Sequence, residues 1–185
     1  MAVDIGVREY HEFGLLHGEQ AIFIPEMIIT GGQTGADCGG LIGAKALGIP
    51  TGGIAPKGFR TENGPQPSLA LEYGLVESES DDYAVRTAEN IDLADAIISV
   101  ARDFDSPGSY LTRKIANREQ VPLFEIPFPT FIKFEDEFLL NEVRYWLGRF
   151  SPPVLMIAGN RESKAKGVQA YTADLLQRIF VDKTR

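Results

Sequence analysis

The sequence is poor in the residues that build metal and disulfide sites. Cys38 is its one cysteine, so no intrachain disulfide can form, and its two histidines, His11 and His17, both lie near the start. A histidine-rich or thiolate zinc site has no raw material, and no metal ligand set is expected. No run approaches the ~18 consecutive apolar residues of a membrane span. The opening MAVDIGVREYHEF carries acids where a secretory leader would be apolar. No membrane partner is therefore expected, and the expected location is the cytoplasm. Positive charge is scarce too: 18 Lys and Arg against 26 Asp and Glu give a net charge of −8, with no dense basic run. Binding of a nucleic-acid polymer rests on phosphate neutralisation, so that class of partner is not expected either. A small basic pocket inside an acidic protein is compatible with these counts, and it suits a small anionic ligand.

What is abundant is glycine, 19 of 185 residues, much of it crowded between Gly31 and Gly64. The length suits one compact domain, and 44% hydrophobic residues suffice for a core. Residues 1–25 read as an N-terminal arm, within which AIFIP is either a short strand or a cover over an apolar surface. Residues 26–185 read as a single domain. Met27–Thr30 form a β-branched run that breaks into GGQTGADCGG and continues as the apolar helical pattern LIGAKALG, ended by Gly48 and Pro50. TGGIAPKGFRTENGPQP is a loop by composition, longer than usual connections and therefore a candidate for function. DDYAVRTAENIDLAD reads as a helix capped near Asp81–Asp82, AIISV as a strand, LTRKIANRE as a helix and VPLFEI as a strand. Apolar residues at intervals of three to five predict an amphipathic helix over 134–149, ended by Pro152 and Pro153. VLMIA is a strand, and GNRESKAKG leads into a last helix.

Strands that alternate with helical patterns imply parallel βαβ units, and uniformly apolar strands imply cover on both faces. The expected fold is α/β: a Rossmann-like, doubly wound, mostly parallel sheet of about five strands with helices on both faces.

Three polar clusters follow strands. In GGQTGAD, Gly31, Gly32 and Gly35 allow a tight turn that exposes amide N–H groups at a helix start, with Gln33 and Thr34 adding side-chain hydrogen bonds. The spacing matches neither G-x-G-x-x-G nor the P-loop, whose lysine is missing. Asp37, in the first turn of that helix, either complements the helix dipole or serves a ligand as a base or hydroxyl anchor. Cys38 beside it reads as buried rather than reactive. Lys57 and Arg60 lie on the glycine-rich loop, where Glu62 can pair with either. Arg86, Thr87 and Asn90 include an i, i+4 pair on one helix face. Ser106, Gly108, Ser109 and Thr112 form a second hydroxyl-rich turn before a helix, and two such turns on neighbouring strands would make a cleft. Gly159, Asn160, Arg161, Glu162, Ser163 and Lys164 form the third cluster. Arg161 is suited to a bidentate anion contact, Glu162 to acid–base work or to orienting Arg161, and Ser163 to helix capping.

The stretches IITGGQTGADCGGLIGAKALGI, GGIAPKGFRTENGP, DDYAVRTAENIDLADAII and VLMIAGNRESKAKGV together resemble the "putative molybdenum carrier" family, a YpsA-like branch of the SLOG superfamily related to LOG and DprA proteins. The resemblance covers about residues 27–180. It implies a Rossmann-like pocket for a nucleotide or nucleotide-derived ligand, lined by Gly31, Gly32, Gln33, Thr34, Gly35, Asp37, Lys57, Arg60, Arg86, Thr87, Asn90, Gly159, Arg161, Glu162, Ser163 and Lys164. Where relatives carry a glycine pair and threonine, this chain has Ser106-Pro107-Gly108-Ser109, and the proline removes an amide donor.

The leading functional expectation is binding of a nucleotide-derived or other phosphate-bearing small ligand at the carboxyl edge of the sheet. Hydrolysis of an N-glycosidic bond, with Asp37 or Glu162 as the catalytic carboxylate, is its enzymatic form. The alternative is a non-catalytic carrier or sensor of a molybdenum cofactor or a nucleotide signal. A third class is a purely structural or partner-binding protein. A homo-oligomer is a further candidate, with an apolar contact supplied by the Trp146 helix.

Overall fold

The computed structural model describes residues 22–128 and 137–181. In chain order the elements are β1 (Met27–Ile29), α1 (Ala36–Ala46), β2 (Thr51–Gly52), β3 (Ile54–Ala55), a 3-10 turn (Lys57–Phe59), β4 (Arg60–Thr61), β5 (Gly64–Pro65), α2 (Ser68–Tyr73), β6 (Val76–Glu77), α3 (Tyr83–Leu93), β7 (Ala96–Ala101), α4 (Pro107–Glu119), β8 (Leu123–Pro127), α5 (Glu137–Phe150), β9 (Val154–Gly159) and α6 (Val168–Phe180). Most of the expected arm, residues 1–21, and the first residues of the helix expected from 134 lie outside the described residues. Residues 22–25 form no strand; Ile22 and Phe23 instead pack against the core, which is the covering role.

The main sheet has five strands in the order β2-β1-β9-β7-β8, and every neighbouring pair is parallel. Its apolar residues divide by the two-residue period of a strand. Ile28, Ile98, Val100, Leu155 and Ile157 face one way, into a core with Leu140, Val143 and Leu147 of α5 and Leu175, Leu176 and Ile179 of α6. Ile29, Ile97, Met156 and Ala158 face the other way, against Ile91 of α3 and Ile115 and Ala116 of α4. Helices on both faces explain why the strands read as continuous apolar runs. The sheet is the Rossmann-like, doubly wound arrangement expected.

The connectivity carries a feature that the helix and strand patterns do not reveal. Entered at β9 and followed through β1, β2, β7 and β8, the strands lie in the order 3-2-1-4-5 of a Rossmann sheet. The strand that would come first in that arrangement comes last in this chain, and it lies between β1 and β7. The turns after β1 and β7 are therefore not on neighbouring strands, as expected above; the loop after β9 separates them and joins both. This central loop lies at the topological switch point, where the connections leave in opposite directions.

Helix α1 packs closely on α6 because glycine removes side chains at the crossing. A Cβ at Gly39 would lie 2.4 Å from the Gln169 carbonyl oxygen, and one at Gly43 would lie 2.9 Å from that of Ala173. The stretch read as a plain loop is more ordered than its composition implies. Its β2 completes the edge of the main sheet, β3 pairs with β6 in parallel, and β4 with β5 forms a two-residue antiparallel hairpin. Two-residue strands are too short to show periodicity in a glycine- and proline-rich stretch. Trp146 is engaged within the fold, edge-on to Phe124 at 5.4 Å and tilted against Phe150 at 5.3 Å. No helix among the described residues is long and apolar enough to cross a membrane.

Candidate functional site

The glycine turn between β1 and α1 is shaped by two close approaches. Gly35 adopts φ 77°, in the left-handed region that glycine favours, and a Cβ there would lie 2.3 Å from the Asn160 carbonyl oxygen. This contact lays the turn against the loop after β9, and the Ala36 N–H donates to the same Asn160 oxygen at 3.1 Å. At Gly31 a Cβ would fall 1.4 Å from Arg86 Nη1, so the missing side chain makes the seat of the Arg86 guanidinium. Three N–H groups of the turn are taken up by neighbouring side chains. Gly32 donates to Thr30 Oγ1 at 3.0 Å, Gln33 to Asp37 Oδ2 at 3.2 Å, and Thr34 to Gln33 Oε1 at 3.0 Å. The anion cradled at the start of α1 is the chain's own Asp37 carboxylate.

Asp37 is only 4% exposed. Burial pushes its carboxyl pKa above the ordinary value of 3.8; the Arg86 guanidinium, the Gln33 and Gly31 N–H groups and the Arg161 charge oppose that rise in part. Arg86 Nη1 lies 3.5 Å from Asp37 Oδ2, with both side chains nearly buried. Arg86 and Arg161 both sit over the Tyr83 ring, at 5.9 and 5.1 Å from its centroid. Residues from the β1 turn, the start of α3 and the β9 loop thus meet at one edge. Two buried donors there, Gln33 Nε2 and Arg86 Nε, have no hydrogen-bond partner. Such groups cost about 1–3 kcal/mol each when left unsatisfied, which makes the edge receptive to an acceptor. Burial also pushes the Cys38 thiol up to about 11, with the Asp37 charge adding to the rise. Cys38 is accordingly a weak nucleophile.

The other sequence candidates divide. Asn90 is fully buried and grips β3: its Oδ1 accepts from Ile54 N at 2.9 Å, and its Nδ2 donates to the carbonyl oxygens of Ile54 and Arg86 at 2.8 Å each. Thr87 donates back to the Tyr83 carbonyl at 2.7 Å. These two residues hold the α3 end of the site together. Replacing Asn90 by alanine is expected to cost about 2 kcal/mol, since the Ile54 amide and carbonyl lose their partners. Urea unfolding measures this, and a midpoint equal to that of the parent chain would contradict it.

Arg60 is drawn away from the glycine turn, pairing with Asp81 at 3.4 Å and donating to its carbonyl at 2.8 Å. Lys57 is exposed on the 3-10 turn, and Lys164 is exposed on the β9 loop. Glu162 faces the start of α6, accepting from the N–H groups of Gly167 and Gln169, the latter at 3.0 Å. In this position it caps a helix and complements its dipole. Ser163, read as a cap, binds Glu62 instead. Ser106 donates to the Asp103 carbonyl at 2.8 Å and to Ser109 Oγ at 3.1 Å, and Thr112 donates to the Gly108 carbonyl at 3.1 Å. A Cβ on Gly108 would meet open space, so no close approach requires glycine there. Gly159 is required, because its Cβ would lie 1.9 Å from the Val100 carbonyl oxygen.

Three residues carry more of the site than the sequence suggested. Asn160 ties the β7 and β9 loops: its Oδ1 accepts from Arg102 N at 2.8 Å, and its Nδ2 donates to Ser106 Oγ at 3.3 Å. An asparagine directly after a strand-ending glycine was the available signal for that role. Tyr83, at the first position of α3, had none. Glu62 does not pair with Lys57 or Arg60. It sits at the tip of the β4–β5 hairpin and accepts from the hydroxyls of Thr34 and Ser163 and from Ser163 N at 3.1 Å. Burial would raise its pKa, but the Ser163 and Thr34 hydroxyls, the Ser163 amide and the Arg161 charge together hold the carboxyl below its usual range.

A Rossmann-like sheet with its polar clusters gathered at the switch point defines the class of protein. Residues 28–180 match the family described as circularly permutated YpsA SLOG, and the chain belongs to that family. In the strand order of this chain, β9 takes the place of a first strand. A solved structure from Syntrophus aciditrophicus SB, described as a "putative molybdenum carrier protein", is similar at 32% identity, covering 85% of this chain and 96% of that chain with a TM-score of 0.76. No match was found among curated proteins.

Proposed function

We propose that the protein binds a small anionic ligand, nucleotide-derived or otherwise phosphate-bearing, at the edge formed by Gln33, Asp37, Tyr83, Arg86 and Arg161. The observation that carries this reading is the pair of buried, unpartnered donors, Gln33 Nε2 and Arg86 Nε, beside the exposed Arg161. An anionic acceptor would satisfy donors that the fold leaves open, and Arg161 can close over it from the solvent side. The Tyr83 face offers a stacking surface where the two guanidinium groups already lie. If the ligand carries an N-glycosidic bond, our candidate for its hydrolysis is Asp37, the carboxyl at this edge whose hold on a proton burial strengthens. Glu162 is committed to the start of α6 and takes no part in that step.

Calorimetric titration with nucleoside monophosphates, cyclic nucleotides and NAD-derived molecules tests binding. At least one is expected to bind with Kd below about 1 mM, and Arg161→Ala to weaken it about ten-fold, the loss of one charge-assisted contact. Absence of heat from every ligand at millimolar concentration, with circular dichroism showing folded protein, would sink the reading. Chromatography for released base tests hydrolysis separately.

The name of the similar Syntrophus protein favours a second reading, a carrier. Among the described residues, no three His, Cys, Asp or Glu side chains are placed to hold a metal ion. The guanidinium and amide donors suit a molybdenum oxyanion or the phosphate of a pterin cofactor, so Gln33, Arg86 and Arg161 would hold such a group by its anionic oxygens. Pterin fluorescence and molybdenum in the purified protein would distinguish this reading from the first.

A further inference from the structure

The Glu62 carboxylate is held as a bound anion would be. It lies at the tip of the short hairpin formed by β4 and β5, and it reaches the turn after β1 and the loop after β9 at once. Thr34 Oγ1 and Ser163 Oγ donate to its two oxygens, Ser163 N donates at 3.1 Å, and the Arg161 charge acts on it. The Thr34 hydroxyl is itself oriented by the Glu162 N–H, which donates to it at 3.3 Å. Two hydroxyls and one amide converging on a carboxylate, with the Arg161 charge near enough to act on it, form a setting equally suited to a tetrahedral oxyanion. A second observation, independent of that cradle, points to a ligand at the same place. Gln33 is 4% exposed, and its Oε1 accepts from the hairpin's own Glu62 N at 2.9 Å. The amino group of the same carboxamide, Nε2, is buried and has no acceptor.

We propose that Glu62 is an internal stand-in for the anionic group of the ligand, so that the β4–β5 hairpin is a latch displaced when a phosphate or similar oxyanion takes the cradle of Thr34, Ser163 and Arg161. This rests on the anion-binding reading above and adds an occupant, a competitor and a moving element to it. The hairpin is suited to move. Its β-pairing amounts to two residue pairs, Arg60 with Pro65 and Thr61 with Gly64. Of its remaining tethers, the Arg60–Asp81 pair is solvent-exposed and so contributes little. A closed latch weakens the apparent affinity for an external anion by the fraction of molecules that are open.

Titration of inorganic phosphate into the full chain and its Glu62→Gln variant gives the first measurement. Glu62→Gln is expected to bind phosphate at least about ten-fold more tightly, and Ser163→Ala in that background to remove most of the gain. Hydrogen exchange on the unmodified chain gives the second and needs no variant. The Glu62 amide, whose acceptor is Gln33 Oε1, is expected to lose protection when phosphate is added. This separates a latch from simple charge repulsion, which would leave the hairpin closed. Equal or weaker phosphate binding by folded Glu62→Gln would overturn the proposal, as would unchanged exchange at Glu62 under saturating phosphate. If nucleotides bind the parent chain while the Glu62 amide stays protected, the latch fails and the anion-binding reading stands. If nothing anionic binds either chain, both fail.

Discussion

A Gly159→Ala chain is expected to lose about 4 kcal/mol or more of folding stability, enough to unfold a marginal domain. Gly159 ends the central strand β9 at φ 153°, and a Cβ there would lie 1.9 Å from the Val100 carbonyl oxygen and 2.8 Å from the Ala36 Cβ. Neither neighbour can yield cheaply. Val100 is paired with Gly159 across β7 and β9, and its carbonyl also accepts the Asn160 N–H at 3.1 Å. Ala36 is fully buried at the first position of α1. Backbone strain at a glycine-favoured conformation and overpacking contribute about 1–3 kcal/mol each. Chemical denaturation gives the number, and a loss below about 1 kcal/mol would show that the strand end can shift to admit a methyl group. The loop after β9 carries Asn160 and Arg161, so a variant that survives in part is also expected to bind anions less tightly.

Replacement of Arg86 by methionine is expected to destabilise the protein by about 3 kcal/mol at neutral pH, because it leaves the Asp37 carboxylate buried without its nearest cation. The pH dependence identifies the cause. Asp37 already has a folded-state pKa above the ordinary 3.8, since burial outweighs Arg86, the turn amides and Arg161. A carboxyl whose pKa is raised by folding is bound more tightly to its proton in the native state. Stability therefore falls as pH climbs from about 3.8 through the folded-state value, and this cost is relieved on acidification. Removal of Arg86 takes away the largest opposing influence and moves the upper end of that window higher. The stability difference between Arg86→Met and the parent should accordingly shrink as pH falls, and Asp37→Asn in the Arg86→Met background should restore much of the loss at neutral pH. A difference that stays constant from acid to neutral pH would assign the loss to packing of the arginine stem instead.

The Arg86–Asp37 pair also connects the two roles of the glycine turn. A methyl group at Gly31 would occupy the guanidinium's seat, so this glycine acts on the site through Arg86 and not through an exposed amide. Read from sequence, GGQTGAD offered N–H groups to an outside anion. In the folded chain, Asp37 takes the place of that anion, and Gln33 Nε2 and Arg86 Nε are left without partners.

The sequence by itself determined the layers of the fold. Strands such as AIISV and VLMIA are apolar at every position, and only cover on both faces allows that. The helices between them announced themselves by period and caps, as with Asp82, whose Oδ1 accepts from Ala84 N at 2.8 Å. Composition located the carboxyl-edge turns as well, because glycine and hydroxyl residues cluster where strands end. Tertiary structure alone decided which strands are neighbours. The position of β9 between β1 and β7 depends on pairings between residues far apart in sequence, Ile28 with Leu155 and Ile98 with Ile157, which local periodicity does not encode. The partnerships at the edge were decided in the same way. Arg60 went to Asp81 and Glu62 to Thr34 and Ser163, because a side chain's partner is set by where its loop lies in space and not by its neighbours in the chain. The crowding of glycines between 31 and 64 marked the turn after β1 and the stretch that follows α1, and the folded chain determined which donors beside that turn lack partners.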